Sequence, residues 1–192
     1  MRSPDDAGVP MVAAAVILPA EPVAALSGLD DSKKLSAAAR ERLAVAVRSH
    51  ALAWALGWAD VAEIDTLNIL QATMLAMRRA LLALGQVPRS VQVDGNRLPS
   101  RDGLAIEGDF AAIIGGDRLE AAIAAASILA KTERDAYMVA AEARYPGYGF
   151  ARHKGYGTAR HLAALRELGP CALHRTSFEP VRSASARPSP RE

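Results

Sequence analysis

The chain has 192 residues, 51% of them apolar and 23% charged, with a formal net charge of +2. That size and apolar share suit a folded domain with its own core and exclude a chain disordered throughout. A single cysteine, Cys171, excludes a disulfide scaffold. The apolar run Met11–Leu18 falls far short of the roughly 20 residues that cross a bilayer. Arg2, Asp5 and Asp6 do not read as a secretory leader, so the expected address is the cytoplasm with no membrane partner.

In chain order, residues 11–18 (MVAAAVIL) read as a buried strand. Gly28 to Lys34 is a polar turn, and Ser36 can cap a helix reaching about Ser49. Trp54 to Ala59 reads as a second strand. Apolar residues at 64, 67, 70, 74, 77, 81 and 84 give a helical period, ended by Gly85 and Pro88. Val91 to Val93 is a short strand running into Asp94-Gly95-Asn96, a turn signal. Ile113-Ile114 reads as another strand, followed by Gly115-Gly116-Asp117. Residues 119–143 read as a helix with a small-residue face, broken by residues 145–149 (YPGYG). Thr158 caps a short helix that stops at Gly169-Pro170. The order predicts one mixed α/β domain, residues 1–181, with helices packed on a sheet. Residues 182–192, rich in Ser, Pro and Arg, read as a disordered tail.

The chemistry-bearing residues are few. Asp94 and Asp117 each stand at a predicted strand end beside glycine, where carboxylates can converge on a hard cation. Asp-Gly and Gly-Asp are also ordinary turn dipeptides. Glu107-Gly108-Asp109 fits a loop better. Ser32 and Lys33 lie in a turn that reads either as a phosphate cradle or as an exposed loop. Between Arg144 and Arg175 there are six Lys or Arg against one Glu167, with His153, His161 and His174 among them. That stretch suits either a phosphate-contacting surface or a solvated basic face. Tyr156 sits among its cations, as a ring that stacks on a sugar or base would. Cys171 reads as a buried small hydrophobe. Together these residues suit phosphodiester hydrolysis.

Taken in order, several segments resemble the bacterial ribonuclease HII family. They are PMVAAAVIL (10–18), GLDDSKKLS (28–36), EIDTLNILQATMLAM (63–77), VDGNRLP (93–99), GGD with IAAASILAK (115–131), RDAYM (134–138), YPGYGFARHKGYGT (145–158) and HRTSFEPV (174–181). The resemblance implies a ribonuclease H-like mixed sheet flanked by helices. It also implies metal-dependent cutting, with Mg²⁺ or Mn²⁺, of the RNA strand of RNA–DNA hybrids and beside single ribonucleotides in duplex DNA. The products would carry 3′-hydroxyl and 5′-phosphate ends. Within it, Asp94 and Asp117 match catalytic, metal-holding carboxylates, and Asp109 does not fit the spacing to Ser127. Tyr156 matches a tyrosine that packs on the ribose at the RNA–DNA junction. Ser32 and Lys33 match a motif beside the phosphate backbone. Arg134 and Asp135 match a motif read as structural. The expected assembly is a monomer.

One family segment is absent. The family opens on Gly-Val-Asp-Glu-Ala-Gly-Arg-Gly, which holds two of its four carboxylates, whereas here Ala7-Gly8-Val9 runs straight into Pro10-Met11. The resemblance therefore implies a damaged first strand or hairpin, lowered stability and doubtful activity. The alternatives are recruitment of Asp5 or Asp6 and a protein that binds RNA–DNA duplexes without cutting them.

Overall fold

A computed structural model describes residues 9–185. The stretch read as one domain comprises two compact units, one built from residues 12–58 and 73–133, the other from 9–11, 59–72 and 134–185.

In the first unit, β1 (Met11–Ile17) pairs with β2 (Ala53–Ala59). The Leu52 N–H donates to the Ile17 carbonyl at 2.8 Å and closes that pair. Helix α1 (Ala37–His50) starts where Ser36 Oγ accepts the Ala39 N–H, as its sequence predicts. It buries Leu43, Ala44 and Val47 against Ala125, Ile128 and Leu129 of α4 (Ala121–Arg144). The small residues of α4 matter here: Ala124 and Ala125 are buried, although Ala121 faces solvent. Helix α2 (Val61–Leu82) presents Ala80, with Leu84 just beyond its end, to Ala15 and Ala55 of the β1–β2 pair. Gly57 lets strand and helix close up, because a Cβ there would stand 2.0 Å from the Ala76 carbonyl oxygen.

Strands β3 (Val91–Asp94) and β4 (Phe110–Ile113) form a second, parallel pair with Asp94 opposite Ile113. The predicted strand at Ile113-Ile114 is thus displaced toward its N-terminal side, and Ile114 lies beyond the ladder, 79% exposed. Among the described residues the strands form two separate pairs, where the resemblance implied one mixed sheet with a damaged first strand.

The second unit holds its own core of Val9, Met138, Ala141, Tyr148, Phe150, Ala164 and Leu173. It includes α5 (Phe150–His153), α6 (Ala159–Leu168) and α7 (Glu179–Ser185). Thr158 caps α6 through its Oγ1, which accepts the His161 N–H at 3.2 Å. Helix α2 begins in this unit with a reciprocal box in which Asp60 and Glu63 each accept the other's backbone N–H. Its predicted continuity fails at Asn68, which has φ 68°. The Asn68 Oδ1 accepts the N–H groups of Leu70 and Gln71, so one helix stops and a capped one restarts. Helix α7 carries residues 182–185 of the stretch read as tail, and the remainder lies outside the described residues. Among the described residues no helix is long and apolar enough to cross a membrane.

Candidate functional site

The two predicted carboxylates belong to the first unit, and one hydrogen bond ties Asp94 to Gly116, the residue before Asp117. Val91 and Val93 bury one face of β3, which leaves Asp94 on the open face at the strand's end. Its Oδ1 accepts the Gly116 N–H at 3.0 Å. Gly115, with φ 70°, turns the chain into α3 (Gly116–Leu119), a single turn whose second residue is Asp117. The β3–β4 ladder and this turn together bring Asp94 beside Asp117.

The electrostatics follow from this placement. Burial pushes the Asp117 carboxyl above its usual range, and the charges of Asp94 and Asp31 push it the same way. Lys33 and Arg118 pull in the other direction. The Arg118 Nε stands 4.0 Å from Asp117 Oδ1. A proton or a cation relieves such crowding of negative charge. Two oxygen donors of this kind suit a hard divalent ion, with the rest of its shell left to water and phosphate. Among the described residues no group of three or more His, Cys, Asp or Glu is arranged to hold a metal.

The loop at Asp30–Lys34 shows two different fates for neighbouring residues. Ser32 is buried, and its Oγ lies 2.9 Å from Ser127 Oγ on α4. Arg40 donates from one guanidinium nitrogen to the carbonyls of Ser32 and Leu35. The Lys33 N–H is tied to Asp31 Oδ1 at 2.9 Å, while its side chain is exposed. Ser32 therefore fastens the loop, and Lys33 is the charge it presents. Asp109 lies at the other end of the β3–β4 ladder, where its carbonyl accepts the Val91 N–H.

Tyr156 belongs to the second unit. Its side chain is 37% exposed, and the Arg134 guanidinium carbon lies 5.1 Å from its ring centre. Its backbone is fixed by three bonds. The Tyr156 N–H donates to the His153 carbonyl, and the Tyr156 carbonyl accepts the Thr158 N–H and sits 2.9 Å from His161 Nδ1.

The sequence reading missed several groups. Asp31 gives no signal in the sequence, though its charge reaches Asp117. Asp65 accepts both N–H and hydroxyl groups of Thr176 and Ser177. Cys171 is half-buried, not buried, and its Sγ lies 3.1 Å from His174 Nδ1. The partners of Asp31 and Asp65 are far away in sequence and no local spacing announces them, whereas Cys171 and His174 stand three residues apart.

This fold is that of the ribonuclease H2-type nucleases. The structure of ribonuclease H2 from Pyrococcus horikoshii OT3 matches with a TM-score of 0.82 at 22% identity, over 96% of this chain and 93% of that one. Bst-RNase HIII in complex with Mn²⁺ matches with a TM-score of 0.77 at 19% identity, over 97% of this chain and 67% of that one. Sequence carries the assignment further. The ribonuclease HII family model matches residues 7–181, and the chain belongs to that family. Ribonuclease HII of Nitrosococcus oceani is 55% identical over 173 residues, 90% of this chain and 83% of the relative. Ribonuclease HII of Laribacter hongkongensis is 56% identical over 186 residues, 96% and 90% of the two chains. By family the chain is a ribonuclease, a hydrolase.

Proposed function

We propose that this chain cuts the RNA strand of RNA–DNA hybrids, and duplex DNA beside single ribonucleotides, by metal-dependent phosphodiester hydrolysis that leaves 3′-hydroxyl and 5′-phosphate ends. The observation that carries the reading is the placing of Asp94, which accepts the Gly116 N–H, beside Asp117, whose carboxyl its charge raises. Asp94 and Asp117 hold Mg²⁺ or Mn²⁺ in this reading. A bound divalent ion supplies positive charge to the reacting phosphate and to the attacking water. Lys33 complements the phosphate backbone, and Ser32 keeps the Lys33 loop in place. Tyr156 packs its ring on the ribose at the RNA–DNA junction. The protein works as a cytoplasmic monomer.

A second reading is a protein that holds such duplexes without cutting them. It is favoured by the lack, among the described residues, of a third metal-ligating side chain grouped with Asp94 and Asp117. The resemblance implies four carboxylates, and Asp5 and Asp6 lie outside the described residues. Loss of groups that act on the transition state costs several kcal/mol of barrier.

The deciding assay uses duplex DNA with one ribonucleotide, in Mg²⁺ and in Mn²⁺, with Asp94→Asn as the control for contaminating nuclease. Cutting 5′ to the ribonucleotide that disappears in the control supports the first reading. Salt-dependent binding by folded protein without cutting supports the second.

A further inference from the structure

Behind Tyr156 lies a chain of buried polar groups that the reaction does not itself require. His161 has no exposed surface and His174 is 3% exposed. His161 Nδ1 faces the Tyr156 carbonyl at 2.9 Å, and a carbonyl only accepts, so Nδ1 carries the proton. His161 Nε2 is then an acceptor, and it takes the Nε2–H of His174 at 3.0 Å. That leaves His174 Nδ1 bare, and it accepts the Cys171 N–H at 3.0 Å. For neutral rings, each assignment forces the next. The bonds run in one direction, from Cys171 through His174 and His161 to the Tyr156 carbonyl.

A third imidazole braces the neighbouring residue. His153 stacks on His161 with ring centres 4.3 Å apart and interplanar angle 17°. Its Nδ1 accepts the Gly155 N–H, and its Nε2 faces the Tyr148 carbonyl at 2.8 Å. Histidines thus hold the backbone of both Gly155 and Tyr156. The ring of Tyr156 is backed separately by Arg134, itself 7% exposed. A guanidinium over an aromatic face is attractive, and more so when it is out of water. An exposed ring fastened at its backbone by satisfied buried groups and at its face by a buried cation is held in one pose before any ligand arrives.

We propose that His161, His174 and Arg134 are positioning residues for Tyr156, which preset its ring against the sugar of a ribonucleotide-containing duplex. The inference rests on the reading that Tyr156 packs on the ribose at the RNA–DNA junction. It adds that the selectivity of this contact comes from rigidity supplied behind the ring.

The test measures selectivity as a ratio of dissociation constants, for an all-DNA duplex over the same duplex carrying one ribonucleotide, with Ca²⁺ in place of Mg²⁺. A ratio is insensitive to the fraction of folded protein. Tyr156→Ala tests the underlying reading and should collapse the ratio. Arg134→Met and His161→Ala should each lower it about fivefold. His161→Asn, whose side-chain N–H can still reach the Tyr156 carbonyl, should restore most of the loss. Arg134→Met added to Tyr156→Ala should cost nothing more, because both act through one ring. If Arg134→Met and His161→Asn keep the wild-type ratio and His161→Ala does too, while Tyr156→Ala loses it, the positioning role is overturned and the Tyr156 reading stands. A Tyr156→Ala protein with an unchanged ratio overturns the reading and the inference together. Should His161→Ala fail to fold, Arg134→Met against Arg134→Lys decides, since lysine keeps the charge but not the plane.

Discussion

The Gly116 N–H donates to Asp94 Oδ1 at 3.0 Å, and so the end of β3 is fastened to the turn that carries Asp117. The bond separates two roles of Asp94, one structural and one electrostatic. An asparagine at 94 retains an oxygen for Gly116 but loses the charge. Mn²⁺ should therefore raise the melting temperature of the wild-type protein, and Asp94→Asn should fold normally and lose that rise. With free ion tenfold above its dissociation constant, the stabilisation is about 1.4 kcal/mol. Thermal melts with and without Mn²⁺ read it directly. A full Mn²⁺ response in Asp94→Asn would remove Asp94 from the metal site.

Asp65 sets a second expectation. Burial raises its carboxyl, but the hydrogen bonds from Ser177 and Thr176 outweigh that and hold it below its usual value of 3.8. The folded state therefore favours the ionised form. Its contribution is fully present above the unfolded value and is lost as pH falls through the lower native one. Asp65→Ala should cost about 1 kcal/mol or more at neutral pH, the worth of charge-assisted bonds to exposed groups. Urea melts should show the gap to wild type closing as pH falls below the usual carboxyl value of 3.8 and through the lower native one. A gap that stays constant with pH would assign the cost to packing and not to the carboxylate.

What could be read in the sequence, and what could not, follows the distance between partners. Ser36 and Thr158 act on N–H groups three residues away, and both caps were legible. Asp94 and Asp117 are each legible as strand-end carboxylates beside glycine, but only the fold supplies the bond from Gly116 to Asp94 across 22 residues. Ser32 reads from sequence as part of a phosphate cradle or of an exposed loop. Its bond to Ser127 spans 95 residues, and no local pattern encodes it. The break at Asn68 was hidden because the apolar period of α2 continues on both sides of it. The pairing of Arg134 with Tyr156 joins two recognised motifs whose contact neither motif announces.

Gly57 offers a stability test in the first unit. A Cβ at this position would lie 2.0 Å from the Ala76 carbonyl oxygen and 2.5 Å from the Ala80 nitrogen. Both obstacles are helix backbone, so no side-chain rotation can clear them. Gly57→Ala should push β2 off α2 and cost roughly 3 kcal/mol, the upper part of the usual range for overpacking. Gly28→Ala is the comparison, since its site is open and its φ of 92° makes it a test of backbone strain alone. Equal losses in the two variants, measured by chemical denaturation, would show that the close approach of β2 to α2 is not what Gly57 provides.

His174 sets the acid limb of stability. Its pKa is pushed down to about 4, first by burial, then by the charge that His161 would carry, with a smaller push from His153. The groups that face it are the Cys171 thiol and N–H, the His161 ring and the rings of Tyr148 and Phe150, with His153 acting on it through charge. None of them is an anion that could shelter an imidazolium. The unfolded chain binds the proton first, near 6.5, so unfolding takes up protons between that value and about 4. The contribution is fully present above about 6.5 and declines as pH falls through the native value, by up to about 3 kcal/mol in all. His174→Gln keeps an N–H for His161 and removes the titration. It should be less stable than wild type at pH about 7.5 yet lose less on going to pH about 4.5. Urea midpoints at those two pH values give both numbers. If wild type and His174→Gln lose stability in parallel, the acid limb belongs to the carboxylates, and the buried imidazole is already accommodated in its charged form.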